Sequence, residues 1–523
     1  MIKFPFISPR VRIVRRIIAE RALEFLPFDE RFEVLESYSV YEPFARVFIV
    51  RIPWEGGLIS YYVDEYKLSE GEKDAYDRLV DLVTEELKVY SFSDDLRGHV
   101  FSEIKRIVDR YRGSLKLSGA SRDRVLYYVE RDLLGYGPIH VLMLDPNVED
   151  VSCVGVNKPI YVWHRYYESI PTNIIFRDVK VLNEFILKLA HRAGKHISLA
   201  YPTLDTMLPE KHRLAATFGS EVSTAGPTFT IRKFRAKPFS PIELIADNVI
   251  SDLMAAYIWL MLDYGRTIMI SGGTGAGKTT LLNALSLFIR PGLKIVTVED
   301  TPELNLPHEN WIQLTVRPTY TVGITLTEIK LFDLIKLSLR YRPDYLIVGE
   351  IRGEEAFVLF QAMATGHGGI STIHAESLDY AVKRITSPPM NIPETYVKLL
   401  NIFMHIDRVT IGERVRVERR VRIIQEVEDY GEYRVISRWD PIRDEHIFTL
   451  ENSWLLQEIS RMSGRSIGEL KEDIERRRAV LRWLMMKGVY DFTEVSKWIF
   501  RYHYNPEEVY KEAVKELGIR KIV

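Results

Sequence analysis

A single cysteine, Cys153, in a chain of 523 residues excludes an intrachain disulfide and any zinc centre built from cysteines. An excess of one charge is also missing. Lys and Arg total 71 against 72 Asp and Glu, a formal net charge of −1, so no global field draws the chain onto nucleic acid. No apolar run is long enough for a membrane. The longest, Leu253 to Leu262, lies between Asp252 and Asp263 and falls well short of the ~20 residues that a span needs. It is expected as a buried helix. The N-terminus is crowded with Arg10, Arg12, Arg15, Arg16 and Arg21 and lacks the apolar core of a signal peptide, so a cytoplasmic location is expected. Neither an internal repeat nor a low-complexity tract is found, which excludes a solenoid or a disordered linker as the carrier of function.

What is present is an ordinary globular mixture, 46% hydrophobic and 27% charged, long enough for three or four domains at roughly 150 residues each. Residues 1–113 are expected to be largely helical, from spacings such as Ile104, Ile107, Val108 and Tyr111. Within them Arg10 to Phe25 places Val11, Val14, Ile18, Ala22 and Phe25 at helical spacing among arginines. This segment is a candidate for docking on an anionic membrane face or a membrane partner. Residues 114–240 alternate short apolar runs with turns and are expected as a small mixed α/β domain. Residues 241–450 alternate apolar strands with amphipathic helices, the pattern of a largely parallel sheet whose ligands bind at the carboxyl ends of its strands. Within them a hairpin is expected about Asp429-Tyr430-Gly431, and residues 451–523 read as a helical region.

The chemistry begins at Gly272-Gly273-Thr274-Gly275-Ala276-Gly277-Lys278-Thr279, a match to G-x-x-x-x-G-K-[ST] between an apolar strand and a helix opening with Thr280. Glycines let such a loop curl around phosphate oxygens, and the exposed N–H groups of the helix start attract the anion. Lys278 is placed to reach the β- and γ-phosphates of ATP, and the Thr279 hydroxyl to ligate Mg²⁺. Downstream, Ile295 to Val298 runs into Glu299-Asp300-Thr301-Pro302-Glu303, and Tyr345 to Val348 runs into Gly349-Glu350. Carboxylates at strand ends beside a phosphate loop can align an attacking water or support the magnesium. A third element, Thr365-Gly366-His367-Gly368-Gly369-Ile370-Ser371-Thr372-Ile373-His374, holds two histidines at a spacing that suits no metal. A neutral imidazole there can donate to a γ-phosphate and register its loss.

Phosphate loop, acidic box and paired-histidine box in this order resemble the secretion superfamily ATPases of type II secretion, type IV pilus assembly and type IV secretion, closest to their archaeal members. The stretches Tyr127 to Gly137 and Arg342 to Gly353 look like that family's wording, and the likeness runs from about Tyr127 to about Pro441. The resemblance implies a RecA-like domain linked to an N-terminal domain, and a homo-hexamer with ATP between subunits. It implies Glu303 as general base, Glu350 at the Walker B position supporting magnesium or water, and His374 near the γ-phosphate. Whether Glu303 or Glu350 is the base stays open, with Glu299 a further alternative. Arg213 and Arg232 match the arginines with which the N-terminal domain completes the site. The implied work is assembly of a pilus-like filament or type II-like secretion. Its partners would be a polytopic membrane platform protein and pilin-like subunits, with peripheral association at the cytoplasmic membrane. Gly368 to Ile373 looks more like pilus and secretion members than like the archaellum motor, which stays an alternative. A DNA-transfer motor is the other, and Arg414, Arg416, Arg419, Arg420 and Arg422 form a local basic strand that it would use. No nucleic acid is expected.

Overall fold

The computed structural model describes residues 23–86, 96–235, 237–317, 329–411 and 416–518. They fall into two compact units, one ending at Phe234 and the other starting at Arg235.

The first unit is built on strands β1 (Leu23–Phe25), β2 (Glu33–Tyr41), β3 (Ala45–Ile52), β4 (Leu58–Glu65), β5 (Val148–Cys153), β6 (Pro159–His164), β7 (Glu168–Phe176), β8 (Thr203–Met207), β9 (Arg213–Thr217) and β10 (Thr228–Arg232). Their order is β2-β3-β4-β7-β6-β5-β10-β9-β8, with β1 also on β7. Pairing is antiparallel except where β4 meets β7 at Tyr61 and Thr172. Asp178 caps the helix Val179–Arg192 by accepting from the Lys180 N–H at 2.6 Å, and Phe185 of that helix packs between Phe176 and Phe229. A smaller core joins the helices Glu70–Glu86, Leu96–Arg110 and Gly119–Val129 through Leu79, Val83, Ile104 and Val125.

The expectation of a largely helical region up to residue 113 is corrected over Glu33–Glu65, which forms three strands. Ala45, Val47 and Ile49 are buried with period two, the repeat of a strand and not of a helix. The candidate docking segment lies outside the described residues up to residue 22, and its last residues, Leu23 to Phe25, pair with β7 as strand. A buried carboxylate ties these strands to the rest of the unit. Asp145 accepts from the Tyr38 hydroxyl at 2.7 Å, the Tyr61 hydroxyl at 2.6 Å and the Asn147 N–H at 2.8 Å. His164 Nδ1 accepts from the Tyr166 N–H, which leaves Nε2 as the protonated nitrogen 3.2 Å from the Tyr38 oxygen.

The second unit contains β11 (Ile268–Ser271), β12 (Ile295–Glu299), β13 (Trp311–Thr315), β14 (Tyr345–Val348), β15 (Gly368–Ile373), β16 (Ile402–Thr410), β17 (Val417–Asp429), β18 (Glu432–Asp440) and β19 (Glu445–Phe448), ordered β13-β12-β14-β15-β11-β16-β17-β18-β19. From β13 to β16 every pairing is parallel. Parallel strands need both faces covered. Ile268, Ile270 and Ile347 enter one core with the wholly buried helical run Met254–Leu262, while Met269, Val296 and Leu346 enter another with the helices Leu331–Ser338 and Glu355–Ala364. This is the RecA-like α/β layering expected, and β17 and β18 form the expected hairpin. Helices Trp454–Ser463, Ile467–Met486, Phe492–Tyr504 and Pro506–Leu517 follow, and they do not form a separate body. Trp259 stacks on Phe288 and packs against Tyr502, and Arg477 pairs with Asp263 at 2.7 Å. Glu426 of β17 accepts from the Tyr257 hydroxyl at 2.5 Å, the Ser453 hydroxyl at 2.6 Å and the Trp454 N–H at 2.6 Å, which fastens the first of these helices to the sheet.

Candidate active site

Strand β11, buried along its whole length, lies between β15 and β16 and delivers the phosphate loop at its carboxyl end. Gly272 passes so close to β16 that a β-carbon there would sit 2.3 Å from the Ile406 carbonyl oxygen. Gly277, at φ +94°, turns the chain into the helix Lys278–Ser286. Gly273 and Thr274 are exposed at the tip, Ala276 is buried beneath it, and Gly275, Thr279 and Thr280 are half-buried. The Lys278 ammonium is buried and donates to the carbonyls of Gly272 (3.1 Å) and Gly273 (2.9 Å). It also lies 3.4 Å from both ring nitrogens of His374.

His374 follows the last residue of β15, which is paired with the last residue of β11. Its Nε2 is 3.5 Å from Glu350 Oε1, so lysine, imidazole and carboxylate form a chain beside the loop. Burial and the Lys278 charge push the His374 pKa down, against the opposing pull of Glu350, which favours a neutral ring. Glu350 stands one residue beyond Gly349, and that turn is stitched to β15. The Thr372 hydroxyl donates to the Gly349 carbonyl at 2.7 Å and the Ile351 N–H to the Thr372 carbonyl at 3.0 Å. The two histidines part company here. His367 sits at the opposite end of β15, about 20 Å away along six residues of strand. There its Nδ1 lies 3.0 Å from the Ala362 carbonyl and closes the end of the helix Glu355–Ala364.

The acidic box lies at the end of β12, which neighbours β14. Glu299 is buried, with its Oε1 accepting from the N–H groups of Glu303 (2.8 Å) and Leu304 (2.9 Å) and its Oε2 from the Gln313 amide (3.1 Å). Burial pushes its pKa up. Through the Glu303 and Leu304 N–H groups its Oε1 ties down the backbone of the box that carries half-buried Glu303. Asp300 pairs with Arg352, joining the box to the turn that carries Glu350. Arg213 and Arg232 belong to the first unit and stand opposite each other on β9 and β10. Arg213 makes a two-pronged contact with Asp205 at 2.9 and 3.1 Å, and Arg232 is exposed.

Two residues at the loop carry no local signal in the sequence. His405 of β16, buried and with its pKa pushed down by that burial, lies 2.8 Å from the Ser271 hydroxyl directly beneath the loop. Arg419 of β17 donates from Nε to the Gly275 carbonyl at 3.3 Å. Both are more than a hundred residues from the loop in sequence and reach it through strand order alone. Among the described residues no group of three or more His, Cys, Asp or Glu side chains is placed to hold a metal. Nor, among the described residues, is any helix long and apolar enough to cross a membrane.

A parallel sheet in which β11 ends in a phosphate loop, the neighbouring β15 brings an imidazole to the loop's lysine and β14 beyond it brings a carboxylate to that imidazole defines the P-loop class of α/β domain. Residues 135–402 match the family model described as type II/IV secretion system protein, and the chain belongs to that family. Residues 444–518 match a second model, PilB3-like, C-terminal. An uncharacterized protein of Methanocaldococcus jannaschii is 37% identical over 412 residues, covering 77% of this chain and 73% of its own. The type IV secretion system protein PtlH of Bordetella pertussis is 40% identical over 308 residues, 54% of this chain and 90% of its own. Among solved structures, the Legionella pneumophila ATPase DotB aligns with 76% of this chain and 96% of its own at 18% identity, with a TM-score of 0.41.

Proposed function

We propose that this chain is a Mg²⁺-dependent ATPase whose hydrolysis drives assembly of a type IV pilus-like filament, or type II-like secretion, at the cytoplasmic membrane. The observation that carries the reading is the chain Lys278, His374, Glu350 beside a glycine-built phosphate loop. The loop's N–H groups and Lys278 bind the phosphates, and Thr279 and Glu350 are the residues that would hold magnesium, which neutralises phosphate charge. Glu303, presented by the buried Glu299, orients and deprotonates the attacking water. Neutral His374, poised between Lys278 and Glu350, donates to the γ-phosphate and shifts when that group leaves.

The working form in this reading is a homo-hexamer in which Arg213 and Arg232 neutralise charge on the transferred phosphoryl group. Domain motion is passed to a polytopic platform protein and pilin-like subunits. A DNA-transfer motor is less well supported, because the basic strand has other engagements. Arg420 is buried against Asp444, and Arg419 donates to the loop's Gly275 carbonyl.

The test compares Lys278→Ala, expected to lose ATP turnover, with Glu303→Gln, expected to bind ATP and not turn it over. Wild-type turnover in Glu303→Gln would move the base to Glu350 or Glu299. Glu303→Gln locked with ATP and captured from native membranes is expected to bring a platform protein and pilin-like subunits. Archaellum components or DNA-processing proteins in their place would reassign the machine.

A further inference from the structure

The basic strand β17 alternates its arginines between two jobs. Arg420 turns inward, with Nε 2.7 Å and Nη2 2.9 Å from the Asp444 carboxylate and Nη1 3.0 Å from the Asp247 carbonyl. The next residue, Val421, ties its N–H to the Val249 carbonyl at 2.9 Å. Successive residues of a strand point to opposite faces, so an Arg420 fixed in this way sends Arg419 the other way, toward the phosphate loop. There the Arg419 stem lies against Gly277, where a β-carbon would meet its Cδ at 3.2 Å, and its Nε donates to the Gly275 carbonyl at 3.3 Å.

That carbonyl cannot be held without consequence for the N–H beside it. The peptide is planar and trans, so a Gly275 carbonyl turned out toward Arg419 obliges the Ala276 N–H to point the opposite way. It points across the loop to the Gly273 carbonyl at 3.4 Å, a long contact, and the same carbonyl receives the Lys278 ammonium at 2.9 Å. One N–H and one ammonium thus converge in the interior of the loop.

We propose that Arg419 is a positioning residue of the phosphate loop. It holds the Gly275–Ala276 peptide so that the Ala276 N–H faces inward with Lys278, ready for the phosphates of a nucleotide. This rests on the nucleotide reading given above. The guanidinium suits the task because Nε is a fixed donor in a rigid plane, whereas a lysine ammonium has no donor at that point of the stem.

The test uses the purified full chain and three variants. Arg419→Met keeps an unbranched stem against Gly277 and removes the donor, Arg419→Lys keeps the charge, and Lys278→Ala reports on the loop itself. ADP affinity is measured by titration, and kcat and KM for ATP by steady-state hydrolysis. Arg419→Met is expected to weaken ADP and raise the ATP KM about tenfold, the effect of one lost charge-assisted hydrogen bond, with kcat within about threefold of wild type. Arg419→Lys is expected to fall between the two. An ADP affinity of Arg419→Met within twofold of wild type overturns the proposal. So does a fall in kcat as large as the rise in KM together with a lowered Tm, which marks a merely structural residue. If Arg419→Met does not fold, Arg419→Lys decides: a threefold or greater loss of ADP affinity supports the role, and a smaller one overturns it. The two readings fail separately. If wild type and Lys278→Ala are equally unable to bind ADP, the nucleotide reading falls and takes this one with it. If Lys278→Ala alone loses ADP, only the role of Arg419 falls.

Discussion

The two units place their polar groups in opposite ways. In the second, buried Lys278 opens the helix after the phosphate loop, half-buried His374 and Glu350 stand just beyond the ends of β15 and β14, and their polar atoms meet beside the loop. In the first, Asp145 and His164 are fully buried, and they meet the Tyr38 hydroxyl of β2, Asp145 also accepting from the Tyr61 hydroxyl of β4. Burial tells the site from the peg: His374 and Glu350 keep about a third of their side chains exposed, beyond the carboxyl ends of parallel strands, where such sheets bind their ligands.

The comparison breaks most visibly at the peg. Asp145→Ala strips the acceptor from two tyrosine hydroxyls and one N–H and is expected to destabilise the first unit by about 4 kcal/mol. Urea denaturation checks this, and a loss below 1 kcal/mol would show that the network is incidental. Gly272→Ala drives a β-carbon into the Ile406 carbonyl and is expected to cost the second unit about 3 kcal/mol and all ATP turnover. Retained turnover would mean that the loop tolerates a shift away from β16.

A buried histidine sharpens the contrast through pH. His503 accepts the Trp259 indole N–H at Nε2, which requires a neutral ring, and burial lowers its pKa to about 3 from the ordinary 6.5. Above 6.5 neither state is protonated there. Below it the unfolded chain takes up a proton that the folded chain refuses, so stability falls as pH drops from 6.5 toward 3. Between pH 7 and pH 5 that is about 2 kcal/mol, and His503→Gln is expected to remove this part of the pH dependence in paired denaturation curves. The smallest effect belongs to Arg213→Ala. Its pair with Asp205 is about half exposed on both sides, so a stability change below about 1 kcal/mol is expected. Any large loss of turnover in that variant is then attributable to the reaction and not to the fold.

Much of the second unit was legible because its signals are local. The phosphate loop, the strand ending at Glu350 and the buried helix Met254–Leu262 each lie within one short stretch, bounded by residues that set the backbone or the burial. Over Glu33–Glu65 the expectation does not hold, because the helical signal lies in the charge-rich stretch that follows, whereas Ala45, Val47 and Ile49 alternate with period two. The helices after Ser453 were recognised as helices, yet nothing in their sequence says that Trp259 and Asp263 are their partners.

By itself the sequence determined the chemistry that one stretch of chain can hold: the glycines that curl a loop, the lysine and threonines that follow, and a carboxylate at the end of an apolar strand. The tertiary structure decided which residues meet across strands. It separated His374 from His367 by the length of β15, turned Glu299 into an anchor and presented Glu303, and brought His405 and Arg419 to the loop. The reason is physical: backbone geometry follows from neighbours in the chain, whereas strand order follows from how two apolar cores are covered, and that is a property of the whole chain at once.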